Sequence, residues 1–299
     1  MVHWIALLAG VVTFAASASC AGPVFSEEFS QARQAGIVKS ELIREASGIV
    51  ASQRNPGVLW VHNDSGHAPQ VFALDTHAEL IGACVLRGAR SRDWEDIAVG
   101  PGPDPNVSYL YVGDIGDNRA RRPHVIVYRV AEPAVDPNET FRDRSIGPVD
   151  RIRLTYPDGP RDAETLLVDP LTRDIFIISK RALLSKVYRA AYPQSTSEVV
   201  EMEHVAMMPW GIAVAGDVSP NGSKVTVRGP FNASLWRRRA GQPLWKVFSE
   251  EQTFLPLADE MQGEAICFDS DGRGYFTIGE MVRPPLFYFA AKAPGPSAR

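Results

Sequence analysis

The chain has 299 residues, 45% of them apolar and 22% charged, which is enough to bury a full core and too apolar for a disordered polymer. Lys and Arg number 31 against 35 Asp and Glu, and the net charge of −4 provides no basic field for nucleic acid or an anionic membrane.

The chain begins with an apolar run, Trp4 to Ala16, followed by small residues. The run is too short to span a bilayer and has the length of a signal-peptide core, so residues 1–21 are read as a signal peptide. The protein is therefore expected to be secreted or in the cell envelope. Two processing routes stay open. Ala16-Ser17-Ala18 suits an ordinary signal peptidase, whereas Ser17-Ala18-Ser19-Cys20 resembles a lipobox, which would lipidate Cys20 and supply a membrane anchor.

Residues 22–32 read as a polar leader, residues 33–292 as one domain, and residues 293–299 as a disordered tail. Within the domain, strand follows turn follows strand, with no amphipathic helix of useful length. One unit recurs. Ser47-Gly-Ile-Val-Ala precedes Val58 to Asn63, Glu95-Asp-Ile-Ala-Val precedes Tyr109 to Asp114, and Glu164-Thr-Leu-Leu-Val precedes Ile175 to Lys180. Val214-Ala-Gly-Asp-Val precedes Lys224 to Arg228, and Glu264-Ala-Ile-Cys-Phe precedes Tyr275 to Glu280.

A third strand follows each pair, and a fourth follows the first four, as at Arg151 to Tyr156 and Glu198 to Ala206. Four strands repeating at a spacing of roughly 50 residues indicate an all-β fold, a β-propeller of four-stranded antiparallel blades. Five blades are expected, or six if 136–148 or 248–257 hides another. The competing reading is a β-sandwich with chance similarity between hairpins. The last copy lacks a fourth strand, and Ile37 to Ile43 is expected to supply it and close the ring. Cys84 and Cys267 lie in apolar strand patterns, as buried small hydrophobes.

In such a ring the start of each first strand and the end of each second strand share one face. The first position holds Ser47, with Glu45 two residues upstream, then Glu95, Glu164, Val214 and Glu264; the second holds Asn63, Asp114, Lys180, Arg228 and Glu280. Carboxylates crowded at a narrow mouth repel, and a cation, protonation or Lys and Arg partners relieve them. Hard oxygen ligands suit calcium, and Glu95, Asp114, Glu164, Glu264, Glu45 and Glu280 are its expected ligands. The alternative is a metal-free network in which Lys180, Arg92 and Arg228 neutralise the acids. Lys180 and Arg228, with Asn63 and Asp64, are also the expected contacts for a small anionic ligand. His62 and His67 read as turn histidines rather than bases, and Ser65 lacks the context of a nucleophile elbow.

Glu45-Ala-Ser-Gly-Ile, Leu59 to Gly66, Arg92-Asp-Trp-Glu-Asp-Ile, Tyr111 to Asn118, Asp162-Ala-Glu and Gln262-Gly-Glu-Ala resemble a family of exported bacterial propeller proteins described as WD-repeat-like. That resemblance implies the fold and assigns no activity. More distantly, the acid-led first strands resemble the calcium-dependent gluconolactonase, β-propeller phytase and phytase-esterase-like propellers, which implies a central cation and hydrolysis of a lactone or phosphoester. Two functions are carried forward: a cation- and anion-binding propeller, read as a metal-dependent hydrolase where the distant resemblance holds, and a non-catalytic envelope scaffold that binds a partner protein. A monomer is expected.

Overall fold

The computed structural model describes residues 24–292; the expected signal peptide, Cys20 and the tail 293–299 lie outside the described residues. Five sheets are arranged as the blades of a ring. Blade 1 is built from Ala46–Ala51, Val58–Asn63, Gln70–Asp75 and Leu80–Leu86, counted from the axis outward. Blade 2 is Trp94–Pro101, Ser108–Asp114, Val125–Ala131 and Val149–Thr155. Blade 3 is Ala163–Val168, Ile175–Ser179, Lys186–Ala190 and Glu203–Met207. Blade 4 is Ala215–Val218, Lys224–Arg228, Ala233–Arg237 and Thr253–Phe254. Blade 5 is Gly263–Phe268, Gly274–Gly279 and Pro285–Ala290, completed by the N-terminal strand Arg33–Ile37.

No blade can bury both of its faces alone. Each of the five interfaces between neighbours accordingly holds its own apolar core, with Trp60 and Trp94 between blades 1 and 2, and Phe176 and Trp236 between blades 3 and 4. Cys84 and Cys267 are buried and free within two of these cores. Among the described residues, no helix is long and apolar enough to cross a membrane.

The expected five blades are found, and two expectations are corrected in detail. The closing strand is Arg33–Ile37, paired with Pro285–Ala290, rather than Ile37 to Ile43. As the outermost strand it faces solvent and carries polar residues, while the apolar Val38 and Ile43 are buried in the core between blades 5 and 1. Among the described residues there is no sixth blade. Arg144–Ile146 adds a parallel strand to the rim of blade 1, and Thr253–Phe254 is the outer strand of blade 4. The expected strand over Glu198 to Ala206 is divided at the buried Met202. Val199–Glu201 runs parallel to the outer strand of blade 2, and Glu203–Met207 belongs to blade 3.

The five inner strands present their unpaired edges to the axis, where side chains supply the missing partners. The Asp96 carboxylate of blade 2 accepts the backbone N–H of Leu166 in blade 3 at 2.9 Å and of Gly216 in blade 4 at 3.3 Å, besides that of Ile97. Asp217 of blade 4 accepts the N–H of Phe268 in blade 5 at 2.8 Å, and the Ser47 hydroxyl of blade 1 donates to the Glu95 carbonyl of blade 2. Replacing Asp96 with Ala orphans two buried N–H groups in other blades, so Asp96→Ala is expected to lower unfolding free energy by about 3 kcal/mol in urea titration, with Asp96→Asn losing less.

Candidate functional site

Inner strands start on one face of the ring, here called the mouth. In four blades the first inner-strand pair is followed by a β-bulge: Ala46 faces Asn63 and Gly48 faces His62, Trp94 faces Asp114 and Asp96 faces Gly113. Likewise Ala163 faces Ser179 and Thr165 faces Ile178, while Gly263 faces Gly279 and Ala265 faces Ile278. The skipped residues are Ser47, Glu95, Glu164 and Glu264. A bulge frees one residue from the pleat and re-aims its side chain. Blade 4 pairs without a bulge and has Val214, fully buried, where the others carry a polar group.

Several acids near the mouth have dedicated counter-ions. Asp114 pairs with Arg122 at 2.8 Å, both buried, and Arg122 also donates to the Gly116 carbonyl. Asp114 in turn accepts the N–H of Asp93. Asp117 accepts the N–H groups of Arg121 and Arg122, and Asp162 accepts the N–H of Asp117 and pairs with Arg181 at 2.6 Å. Lys180 pairs with Glu164. Arg228 is sealed in the protein, pairing with Glu260 at 3.0 Å and donating to the Ala265 carbonyl. Arg92 is exposed. Asn63 accepts the N–H of Arg44 and donates to the Leu42 carbonyl, which fixes the chain as it enters blade 1.

The remaining acids have no Lys or Arg partner among the described residues. Asp64, Asp93 and Glu95 converge, with one carboxylate oxygen of each within 4.8 Å of the others. Two oxygens bound to one calcium at about 2.4 Å can be no further apart than about 4.8 Å, so the spacing fits a shared ion. Glu95 is 7% exposed. Gly116 makes room for the cluster, because a Cβ there would overlap the Glu95 carboxylate and lie 2.6 Å from that of Asp93. Glu264 and Glu280 are half-buried further round the ring, and the exposed Glu45 lies 3.6 Å from His67. His62 is fully buried and donates Nδ1–H to the Asn63 carbonyl at 2.9 Å, and burial pushes its pKa below the ordinary histidine value.

Sequence reasoning reached Glu95 through the repeat and Asp64 only as the neighbour of Asn63, expected to contact the anion, and missed Asp93, Arg122 and Glu260. Asp93 lies one residue ahead of the inner strand, a position outside the repeat. The signal for it was the paired motif Arg92-Asp-Trp-Glu and Gly113-Asp-Ile-Gly-Asp, whose two ends close on each other as Gly116 donates to the Asp93 carbonyl. The expected ligands Asp114 and Glu164 are held by Arg122 and Lys180, so the structure brings Glu95, Asp64 and Asp93 together and leaves Glu45, Glu264 and Glu280 apart from them.

Burial, with Glu164, Asp64 and Asp93 facing it, pushes the Glu95 carboxyl well above the carboxylate range. Burial raises Asp93, Glu264 and Glu280, and carries Glu164 up to about 8 against the pull of Lys180. An acid with a raised folded-state pKa holds its proton longer in the folded than in the unfolded chain, so stability falls as pH rises from the unfolded to the folded value. His62 acts in the opposite sense only below the ordinary histidine value of 6.5. In chelator, the midpoint of thermal unfolding is therefore expected to fall steadily between about pH 6.5 and 8.5.

No protein-family model and no curated protein matches the chain. Among solved structures it is similar to the Pan2 WD40 domain of Neurospora crassa, at 9% identity and a TM-score of 0.47, over 91% of this chain and 98% of that one. It is also similar to Kuenenia stuttgartiensis hydrazine synthase, at 11% identity and a TM-score of 0.43, over 86% and 97% of the two chains. By its own strand order the chain is a five-bladed β-propeller.

Proposed function

We propose that this protein is an extracytoplasmic propeller that binds calcium at its mouth through Asp64, Asp93 and Glu95, and that the ion receives an anionic group of a small molecule. The observation that carries the reading is a buried glutamate and two aspartates within one ion's reach, without a Lys or Arg partner and with a glycine clearing the space beside them. The three carboxylates exceed the charge of one calcium by one, and Glu264 and Glu280 add to the excess. The ion's role is therefore first to let these groups stay ionised. Bound there, calcium would polarise a phosphoryl or carbonyl oxygen, the chemistry of a metal-assisted hydrolase acting on a lactone or phosphoester. Lys180, half-buried beside Glu164, is the cation placed to steer the anion toward the mouth.

Calorimetric titration of chelator-stripped protein at pH 8 is expected to show calcium uptake, with a rise in unfolding midpoint equivalent to about 2.7 kcal/mol at a hundredfold excess over Kd. Glu95→Gln and Gly116→Ala are expected to lose both effects, and Glu164→Gln to keep the uptake. A stripped protein that takes up no calcium overturns the reading.

A second reading, a docking face for a partner protein, is favoured by a separate feature. Leu42, Leu183, Ile212, Phe231, Met261 and Val282 are large, apolar and exposed, Leu183 by 93% and Phe231 by 88%. All six lie on loops of the mouth face, which enter inner strands or join second strands to third. Apolar groups gathered on one face around a charged centre mark an interaction surface, and the acid excess selects a basic partner. A photo-crosslinking residue at Phe231 is expected to trap a discrete partner in cells, whereas one at Leu171, exposed on the opposite face, is expected to trap none.

A further inference from the structure

At the far end of the ring from the mouth, where the inner strands finish, lies a cavity of about 300 Å³. Its walls are mixed: Val99, Pro170, Val218 and Phe268 give it an apolar side, while Gln53, Asn106, Asp217 and Asp269 bring polar groups to it. This volume lies at the small end of the range that holds drug-sized ligands, and prolines on three blades make the wall rigid.

Three polar groups in the lining are incompletely used; one of them, Asp269, accepts a single donor on each oxygen, from the Arg273 N–H and the Tyr288 hydroxyl, and pairs with no Lys or Arg among the described residues. The Ser108 hydroxyl is buried and has no hydrogen-bond partner. Asp217, only 8% exposed, accepts one N–H on each oxygen, from Val218 and Phe268, and pairs with no Lys or Arg among the described residues. A carboxylate offers about four acceptor positions, so Asp217 retains acceptor capacity in a low-dielectric setting with no cation to meet it. Burial raises the carboxyl to about 7, the direction expected of a charge lacking its counter-ion.

We propose that this cavity binds a small molecule with a compact apolar body and a protonated amine, the amine seated on Asp217 and the body against Val99, Val218 and Phe268. The amine supplies the charge that Asp217 lacks. This site is separate from the mouth and does not depend on calcium.

The experiment follows binding by two-dimensional amide NMR with three probes of one shape: benzylamine, benzyl alcohol and benzoate. Benzylamine is expected to bind at least tenfold more tightly than benzyl alcohol, and benzoate to be rejected. Asp217→Asn is expected to erase the tenfold preference. Val107→Trp, on the exposed hairpin that edges the cavity, is expected to fill the space and abolish binding, and it decides the matter if Asp217→Asn does not fold. Glu95→Gln alters only the mouth and is expected to leave benzylamine binding unchanged. The proposal is overturned if benzylamine binds no better than the alcohol, if Val107→Trp binds it normally, or if Glu95→Gln removes the binding and so places the amine at the mouth.

Discussion

A ring of β-sheets has to satisfy the inner edge of every blade where five edge strands meet on one axis. Water or another strand would normally pair such an edge. Here the chain uses side chains from neighbouring inner strands. Asp96 reaches from blade 2 to the N–H groups of blades 3 and 4, Asp217 from blade 4 to blade 5, and Ser47 from blade 1 to blade 2. The acids of the axis are thus of two kinds. Asp96 and Asp217 close backbone edges, whereas Glu95, Glu164 and Glu264 sit on bulges and point their chemistry at the mouth. Asp96 follows Glu95 directly, so two adjacent carboxyls serve opposite purposes because one is in the pleat and the other is out of it.

That distinction explains the electrostatics of the mouth. N–H donors offset part of the cost of burying a carboxylate, whereas neighbouring carboxylates add to it. Asp114, Asp117 and Asp162 are held by arginines or backbone N–H groups and build the loop after the second strand of blade 2. Asp64, Asp93 and Glu95 have no arginine or lysine partner among the described residues, and the Asp64 carboxylate accepts only the N–H of the adjacent Ser65. The strongly acidic motif from Gly113 to Asn118 is mostly scaffolding, and its glycine, Gly116, is the residue that shapes the space beside the three free acids.

The ring was legible in the sequence because its signal repeats: an apolar strand, a turn and a second strand ending in a polar residue, five times over. The fourth strands were the less readable part. They form the outer, solvent-facing edge, where no alternation of apolar residues marks them, as Arg33–Ile37 and Glu203–Met207 show. Within the site, positions inside the repeat could be found by alignment of the copies. The bulges that select Glu95, Glu164 and Glu264 could not, since nothing in a strand's composition tells which residue is left unpaired. Counter-ions such as Arg122 and Glu260 lay outside the repeat and are joined to their partners only by the folded chain.

The outer rim carries a further consequence. Arg144–Ile146 pairs with blade 1 just before the chain enters the outer strand of blade 2, and Val199–Glu201 pairs with blade 2 just before it enters that of blade 3. Phe25 similarly bridges to Phe254 of blade 4 ahead of the strand that completes blade 5. Each of these segments fastens one blade to the next, as a hoop holds staves. Linear repeat arrays can lose end modules one at a time because each module contacts only its neighbours. A circle hooped in this way has no end module to lose, and detaching one blade's outer strand frays the blade beside it. Its folding unit is accordingly the whole circle, and a viable truncation or transplant would have to keep all five staves.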